Sequence, residues 1–167
     1  MMSKSKPVMK EILQRAKNIL DEYLNDQHLR KTAERYSVLE ELYYLPQDEH
    51  IDVETLFLRM RNKEYTISRA TVYNSIDLLV ECGLVVKHNF KDKNALYEPA
   101  LTYEHHDHLV CNNCLKIKEF LDPSIEDIKK RVGKSLGSDI KHHSLVFYGD
   151  CTIENCENLK RKEVVKG

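Results

Sequence analysis

The sequence predicts an α+β fold: an N-terminal winged helix-turn-helix domain followed by a small C-terminal α/β domain. Two observations lead to this expectation. The first part of the chain has successive helical patterns followed by a β-hairpin pattern, and after residue 99 short strands and paired cysteines surround one further helix. The 167 residues suffice for one compact domain or two small ones. We expect the winged-helix domain at 1–98, a hinge at 99–104 and the second domain at 105–167.

The N-terminal domain opens with three helical patterns. Residues 8–25 place apolar side chains at helical spacing between charged ones, which is typical of an amphipathic helix. A second helix is expected at about 32–45, with Thr32 as its N-cap. Asp52 can cap a third helix at about 53–62, because a carboxylate can accept from the free N–H groups of a first helical turn.

A fourth helix and a hairpin complete this domain. Ser68 is the expected N-cap of a helix at 69–82, and two strands are predicted at Leu84–Phe90 and Ala95–Glu98, joined by a polar turn at Lys91–Asn94. After the first helix, three helices followed by a hairpin have the order of a winged helix-turn-helix, a DNA-binding fold in which the helix at 69–82 would be the recognition helix and the hairpin the wing. An ordinary helical domain carrying a hairpin is the alternative.

The overall charge of the chain gives no support to a DNA-binding role, but one local stretch is basic. The net charge is −1, from 26 basic and 27 acidic side chains, whereas many DNA-binding proteins are basic. Any affinity must therefore come from a local patch, from dimerisation or from bound cations. In the stretch 58–69, only Glu64 accompanies four basic residues: Arg59, Arg61, Lys63 and Arg69. The start of the recognition helix offers four side chains able to meet phosphates or base edges: Arg69, Thr71, Tyr73 and Asn74.

The C-terminal domain has a different pattern, with short strands around a single helix. Two strands are expected around a knuckle in His108–Phe120, a helix opened by Pro123 at Ser124–Leu136, and another strand at Ile140–Tyr148. These elements predict a small α+β domain.

The five cysteines indicate a metal site. No apolar run is long enough to span a bilayer and no signal core follows the N-terminus, so we expect a cytoplasmic protein without a membrane. In a reducing cytosol, paired cysteines more often bind metal than form disulfides. Cys111 and Cys114 form one pair, and Cys151 and Cys156 form another. Four thiolates can enclose a structural Zn²⁺. Four unrelated buried thiols are the alternative, and Cys82 is expected to serve packing.

A histidine-rich run precedes the first cysteine pair. In His105-His106-Asp107-His108, strand alternation would put His106 and His108 on one face and His105 and Asp107 on the other. One short run could therefore contribute to two metal sites. Imidazole and carboxylate ligands suit Fe²⁺, Mn²⁺, Zn²⁺ or Co²⁺. A solvated surface loop is the alternative.

With these motifs in order, the sequence resembles the ferric uptake regulator (Fur) family from about residue 29 to Cys156. The resemblance rests on four segments: Ala70-Thr71-Val72-Tyr73, His88-Asn89-Phe90, the run from His105 to Cys114, and the run from His143 to Cys151.

The resemblance implies a homodimeric winged-helix repressor whose metal-loaded form binds double-stranded operator DNA with an AT-rich palindrome. It implies these structural zinc ligands: Cys111, Cys114, Cys151 and Cys156. It implies a regulatory metal site between the domains: His50, Glu98, His106, His108 and Glu119. It implies a second metal site within the dimerisation domain: His105, Asp107, Glu126 and His143.

Two carboxylates bear on which metal is sensed. Peroxide-sensing relatives carry aspartates where this sequence has Glu98 and Glu119, so the resemblance favours Fe²⁺ sensing, with Mn²⁺, Co²⁺ or Zn²⁺ able to substitute. Asn74, however, looks like the peroxide-sensing relatives, and Leu115 replaces a glycine usual in the iron sensors. A peroxide-sensing or other-metal-sensing member stays an alternative. A zinc-dependent hydrolase and a zinc-stabilised interaction module are more distant ones, and the sequence has no His-Glu-x-x-His motif.

Overall fold

A computed structural model of the protein describes residues 6–46, 49–90, 94–102 and 106–152. The chain divides into two compact units, with the division between positions 104 and 105. Within the described ranges, no helix has both the length and the apolar character needed to cross a bilayer.

The first unit begins with four helices: α1 (Lys6–Asp26), α2 (Ala33–Tyr43), α3 (Val53–Asn62) and α4 (Arg69–Glu81). Two predicted N-caps are confirmed. The side chain of Asp52 accepts from the Thr55 amide at 2.9 Å, and Ser68 Oγ accepts from the Thr71 amide at 3.1 Å. Thr32 also stands at an N-cap position in extended conformation, but its side chain makes no capping hydrogen bond. These caps fix where α3 and α4 begin, and therefore which side chains their first turns present.

A two-stranded antiparallel hairpin follows, made of β1 (Val85–His88) and β2 (Leu96–Pro99). β1 is shorter than the predicted strand Leu84–Phe90, whereas β2 has the predicted length and lies one residue later than Ala95–Glu98. Residues 91–93 of the predicted turn lie outside the described residues. Ile51 forms an isolated antiparallel bridge with Tyr97, through N–H···O bonds of 3.1 and 2.9 Å. The residues just before α3 therefore lie alongside β2.

One apolar core holds the helices and the hairpin together. Its largest fully buried side chains include Leu20, Leu24, Leu39, Leu42, Leu56, Met60, Ile76 and Leu79. Burying each such side chain contributes roughly 1.5–3 kcal/mol. Tyr43 adds a buried link, because its hydroxyl donates to the Leu84 carbonyl at 3.0 Å. Gly83, just past α4, has a φ of 72°, a conformation that glycine adopts without strain as the chain leaves a helix.

The second unit is a three-stranded sheet with one helix: β3 (Asp107–Cys111), β4 (Ile117–Phe120), α5 (Ser124–Leu136) and β5 (Val146–Gly149). The strand order is β4-β3-β5, with β3 antiparallel to β4 and parallel to β5. The bounds of α5 agree with the prediction, and Gly137, with a φ of 63°, ends it.

The predicted strand Ile140–Tyr148 is wrong over its first part, since only Val146–Gly149 is strand. The preceding segment attaches to β3 differently. The Leu145 amide donates to Asp107 Oδ1 at 3.2 Å, and the Leu145 carbonyl accepts from the His108 amide at 3.1 Å. The Asp107 side chain therefore accepts a hydrogen bond that a backbone carbonyl would accept in a regular strand pair. The hydropathy pattern of the sequence does not show that the strand is interrupted in this way.

Candidate metal centres and nucleic-acid interface

Three of the four predicted zinc ligands converge in the second unit. Cys111 ends β3, Cys114 lies in the turn that follows, and Cys151 comes just after β5, the parallel neighbour of β3. Cys151 Sγ lies 3.0 Å from Cys111 Sγ and 3.7 Å from Cys114 Sγ. Tetrahedral zinc with bonds of about 2.3 Å places its sulfur ligands about 3.8 Å apart. The separation of Cys114 and Cys151 matches this spacing and that of Cys111 and Cys151 is shorter, so the thiols form a cluster of the composition that zinc binds. The fourth predicted ligand, Cys156, lies outside the described residues.

The electrostatics of this cluster favour thiolate. The hydrogen bond with Cys151, helped by the backbone at Cys114, lowers the pKa of Cys111 to about 6. A thiolate already present at neutral pH binds a metal ion without first losing a proton. Cys82 behaves differently: it is half-buried against the core, contacts the Leu79 carbonyl at 3.5 Å, and burial raises its pKa. It fits the packing role expected for it.

The knuckle turn explains a departure in the sequence. Leu115 has a φ of 57°, and its amide donates to the Cys111 carbonyl at 2.9 Å, which closes the turn around the cysteine pair. That left-handed backbone is one that glycine adopts without strain and leucine does not. Glycine, which the resemblance gives as usual at this position, is therefore the residue that the turn geometry favours, and leucine forms the turn at some conformational cost.

In the second unit, nitrogen and oxygen ligands come together at His106, His108 and Glu119. His106 Nε2 lies 3.4 Å from Glu119 Oε1, and the rings of His106 and His108 are edge to face with centroids 4.9 Å apart. His108 stands opposite Glu119 in the register of β3 and β4, and it is buried. The expected shared face of His106 and His108 agrees with this geometry. Two imidazoles and a carboxylate within reach of one another suit a divalent cation.

The first unit holds another set. His50 Nε2 lies 3.3 Å from Glu98 Oε2, and both side chains are almost fully buried. The Ile51–Tyr97 bridge explains the contact, because it aligns the segment before α3 with β2, where Glu98 resides. Each unit therefore presents its own part of the predicted regulatory ligand set.

His88 is a residue of this region to which the sequence reasoning gave no role. Its Nε2 lies 2.7 Å from Glu98 Oε1, the other oxygen of the same carboxylate. Val86 pairs with Glu98 and His88 with Leu96 in the hairpin register. His88 and Glu98 are thus diagonal neighbours on one face, within reach of long side chains. The hairpin register, had it been fixed from sequence, would have revealed the pair.

The predicted second site is only partly assembled. His143 Nε2 lies 3.2 Å from Asp107 Oδ1, and Asp107 is buried. Glu126 instead contacts Lys129 at 2.8 Å, and this hydrogen bond lowers the pKa of Glu126. Among the described residues, Glu126 does not join Asp107 and His143 in a group of ligand atoms within 4.8 Å of one another. His105 lies outside the described residues.

The predicted basic patch requires a correction, because acidic partners from outside the stretch 58–69 neutralise much of it. Arg59 Nη2 lies 2.5 Å from Glu49 and Lys63 Nζ lies 2.6 Å from Glu41. Arg69 Nε lies 3.1 Å from Glu54. The stretch is therefore less basic in the folded protein than the count within 58–69 implies. A count along the sequence cannot detect carboxylates that tertiary packing brings alongside.

The proposed DNA-contacting side chains still share a region of α3 and α4. The guanidinium groups of Arg61 and Arg69 lie 5.9 and 5.2 Å from the ring centroid of Phe57, which holds both near one aromatic face. Thr71 is half-buried, with its hydroxyl 2.8 Å from Ser68 Oγ, and Asn74 is exposed. Tyr73 is 42% exposed and its hydroxyl donates to Glu54 at 3.4 Å. Burial and the Glu54 charge raise the pKa of Tyr73, so its hydroxyl stays a donor.

Comparison with known proteins gives one consistent result. The model of the "Ferric uptake regulator family" matches residues 26–148. The ferric uptake regulation protein of Escherichia coli K12 is 36% identical over 129 residues, covering 77% of this chain and 85% of its own length.

Two solved structures extend the comparison. The Helicobacter pylori ferric uptake regulator, described as having three functional metal binding sites, superposes with a TM-score of 0.72 and is 26% identical, covering 91% of this chain and 95% of its own. The Pseudomonas aeruginosa ferric uptake regulator with manganese has a TM-score of 0.70 and 28% identity, covering 80% of this chain and 98% of its own. The family match spans well over half of the sequence, and the chain therefore belongs to the ferric uptake regulator family of metal-responsive transcription regulators.

Proposed function

We propose that this regulator is a repressor that binds operator DNA as a metal-loaded homodimer and senses Fe²⁺. The observation that carries the proposal is that buried imidazole and carboxylate side chains meet in both units: His50 with Glu98, and His106 and His108 with Glu119. Buried groups of this kind, paired at 3.3–3.4 Å, fit the ligand chemistry of a divalent cation. Bound there, such an ion supplies positive charge that compensates the carboxylates.

In this proposal the ligands of both units bind the same regulatory ion. Residues 1–98 would form the DNA-binding domain with the recognition helix, 99–104 a hinge, and 105–167 the dimerisation domain. Binding by both ligand groups at once would favour one arrangement of the units in each protomer. In a symmetric dimer this sets the spacing of two recognition helices, which must match half-sites about one helical turn apart.

Ligand type and family support Fe²⁺ as the sensed ion. Glu98 and Glu119 are the carboxylates that favour iron sensing in the resemblance, and the donors present also suit Mn²⁺, Co²⁺ or Zn²⁺. The Pseudomonas relative was solved with manganese, which supports manganese as a substitute ion in this protein. A peroxide-sensing or other-metal-sensing member is the runner-up. The relatives reported above are regulators, so nothing in them favours a hydrolase.

Two further metal sites belong to the proposal. A structural Zn²⁺ would be held by Cys111, Cys114, Cys151 and Cys156. The approach of the first three sulfurs supports it. A second nitrogen–oxygen site would use His105, Asp107, Glu126 and His143. The Asp107–His143 contact supports it, while Glu126 would have to leave Lys129 to join.

Cysteine pairs used as metal ligands suit the reducing cytoplasm, where we propose that the protein acts.

The proposed partners are an AT-rich palindromic duplex and a second copy of the chain. The DNA-facing residues would be Arg59, Arg61, Arg69, Thr71, Tyr73 and Asn74. Dimerisation has its own support in α5, where Ile128, Val132 and Leu136 recur every fourth residue and are 46%, 36% and 73% exposed. Such an apolar stripe on one helix face is typical of a surface that another chain covers.

Metal-dependent DNA binding of a histidine variant tests the proposal. We expect His106→Ala to lose most of the increase in operator affinity that Fe²⁺ or Mn²⁺ produces in the anaerobic wild-type protein. The matched control is His142→Ala, which removes an exposed imidazole from the same unit. Unchanged metal-dependent affinity in His106→Ala, measured by fluorescence anisotropy of a labelled duplex, would overturn the assignment.

A further inference from the structure

We propose that His88 is a positioning residue that orients Glu98, so that Oε2 of Glu98 is the oxygen offered to the regulatory ion. This inference rests on the proposed function, in which Glu98 and His50 bind that ion. It concerns a side chain that the predicted ligand set leaves out, and it specifies how one ligand of the set is held.

The division of the two carboxylate oxygens carries the inference. His88 Nε2 lies 2.7 Å from Oε1, and His50 Nε2 lies 3.3 Å from Oε2. A carboxylate only accepts hydrogen bonds, so the ring N–H of His88 donates to Oε1. The oxygen directed at His50 is the other one. Two ligand atoms on one ion with bonds of about 2.1 Å lie about 3 Å apart, close to the His50–Oε2 separation.

Packing fixes His88 in this role. Its ring stacks on Phe90, with centroids 5.3 Å apart and planes 4° from parallel, and the His50 ring meets it edge on at 5.6 Å. Phe90 is 3% exposed, and the side chains of His88 and Glu98 are 12% and 9% exposed. Water therefore has little access to replace the hydrogen bond. The diagonal placement of His88 and Glu98 on adjacent strands sets the distance between them.

The consequence is a carboxylate that is constrained before any ion arrives. With Oε1 engaged by His88, Glu98 is expected to bind through a single oxygen. Without that hydrogen bond the carboxylate can rotate and offer both oxygens, which changes the coordination geometry as well as the affinity. Loss of a residue that orients a metal ligand typically lowers the metal affinity about 10- to 100-fold.

The test uses three variants in the full-length protein. His88→Ala removes the donor, and His88→Gln keeps an N–H donor of similar reach. Asn89→Ala is the matched control, since it changes an exposed neighbour. We expect His88→Ala to bind Co²⁺ or Mn²⁺ about 10- to 100-fold more weakly, with an altered Co²⁺ absorption spectrum. His88→Gln should recover most of the affinity, and the control should match wild type.

A second readout needs no metal. In the metal-free protein, imidazole ¹⁵N spectra should show His88 protonated at Nε2, and Glu98→Gln should shift that signal. Thermal unfolding of each metal-free variant verifies folding. If His88→Ala does not fold, the ¹⁵N signal and the His88→Gln affinity decide. An ¹⁵N signal unaffected by Glu98→Gln, or a Gln variant as weak as a folded Ala variant, contradicts the proposal.

His50→Ala separates this inference from the function beneath it. If His50→Ala loses metal affinity while His88→Ala keeps wild-type affinity and spectrum, the positioning role is refuted and the proposed site stands. If His50→Ala also binds metal normally, the proposed regulatory site itself fails. Loss in both, with rescue only by His88→Gln, is the result that we expect.

Discussion

Glu54 is expected to weaken DNA binding by competing with phosphate for the recognition helix. It lies in the first turn of α3, where its carboxylate contacts Arg69 at 3.1 Å and the Tyr73 hydroxyl at 3.4 Å. Both partners are proposed DNA contacts. When Arg69 turns to a phosphate, the Glu54 carboxylate stays nearby with its charge uncompensated. Glu54→Gln keeps the shape of the side chain and removes that charge.

The size of the effect follows from Coulomb's law. A carboxylate about 6 Å from a phosphate, in a medium close to water, is repelled by about 0.7 kcal/mol. Two protomers on a palindrome double this to about 1.4 kcal/mol, or about tenfold in affinity. Screening at physiological salt reduces the gain, and we expect about threefold there. Each additional phosphate contact would also steepen the plot of log K against log salt by about 0.9.

Fluorescence anisotropy with a labelled AT-rich palindromic duplex, on metal-saturated protein at several salt concentrations, measures both quantities. Glu64→Gln is the matched control, because it removes the same charge from an exposed residue near Arg61. The contacts of Arg69 and Tyr73 described above are made by Glu54 and not by Glu64. We expect the Glu54 variant to bind more tightly, with the larger gain at low salt, and the control to change less. Equal gains in both variants, or weaker binding by Glu54→Gln, would refute the competition.

Three further predictions concern the second unit. Cys111→Ser should lose the tightly bound zinc measured by elemental analysis, whereas Cys82→Ser should retain it; a Cys111 variant with full zinc would contradict the structural site. In zinc-free protein the pKa of Cys111 is lowered from 9.0 to about 6, so the contacts of its thiolate stabilise the fold. This stabilisation is complete above pH 9.0 and is lost as the pH falls through about 6. The melting temperature of wild type should therefore approach that of zinc-free Cys111→Ser between pH 8 and 5 (about three units), and parallel curves would argue against this. Leu136→Glu, at a position 73% exposed, should weaken the dimer at least about tenfold in sedimentation, while Lys134→Glu on the same helix should not; an unaffected dimer would remove α5 from the interface.

Local signals in the sequence predicted much of the fold. Asp52 and Ser68 form the expected caps because capping depends on residues three positions apart. The bounds of α5 follow from Pro123 and Gly137 at its ends. The opposite faces of the histidine run also agree with the contacts, since His106 meets Glu119 and Asp107 meets His143.

What the sequence did not predict depends on residues far apart in the chain. Glu41 reaches Lys63 and Glu49 reaches Arg59 only after the helices pack, so a local charge count overstated the basic patch. The His88–Glu98 pair needs the exact pairing of β1 with β2. The irregular segment before β5 is held by the Asp107 side chain, which no periodicity encodes.

The coupling between metal and DNA tests the central claim most directly. If metal binding and operator binding favour the same arrangement of the protein, each must strengthen the other by the same factor. The measurement is the Mn²⁺ affinity of anaerobic protein with and without saturating operator duplex, beside the duplex affinity with and without Mn²⁺. We predict that the duplex tightens Mn²⁺ binding by about 5- to 150-fold, equal to the factor by which Mn²⁺ tightens duplex binding. A Mn²⁺ affinity that is the same with and without duplex would contradict the account.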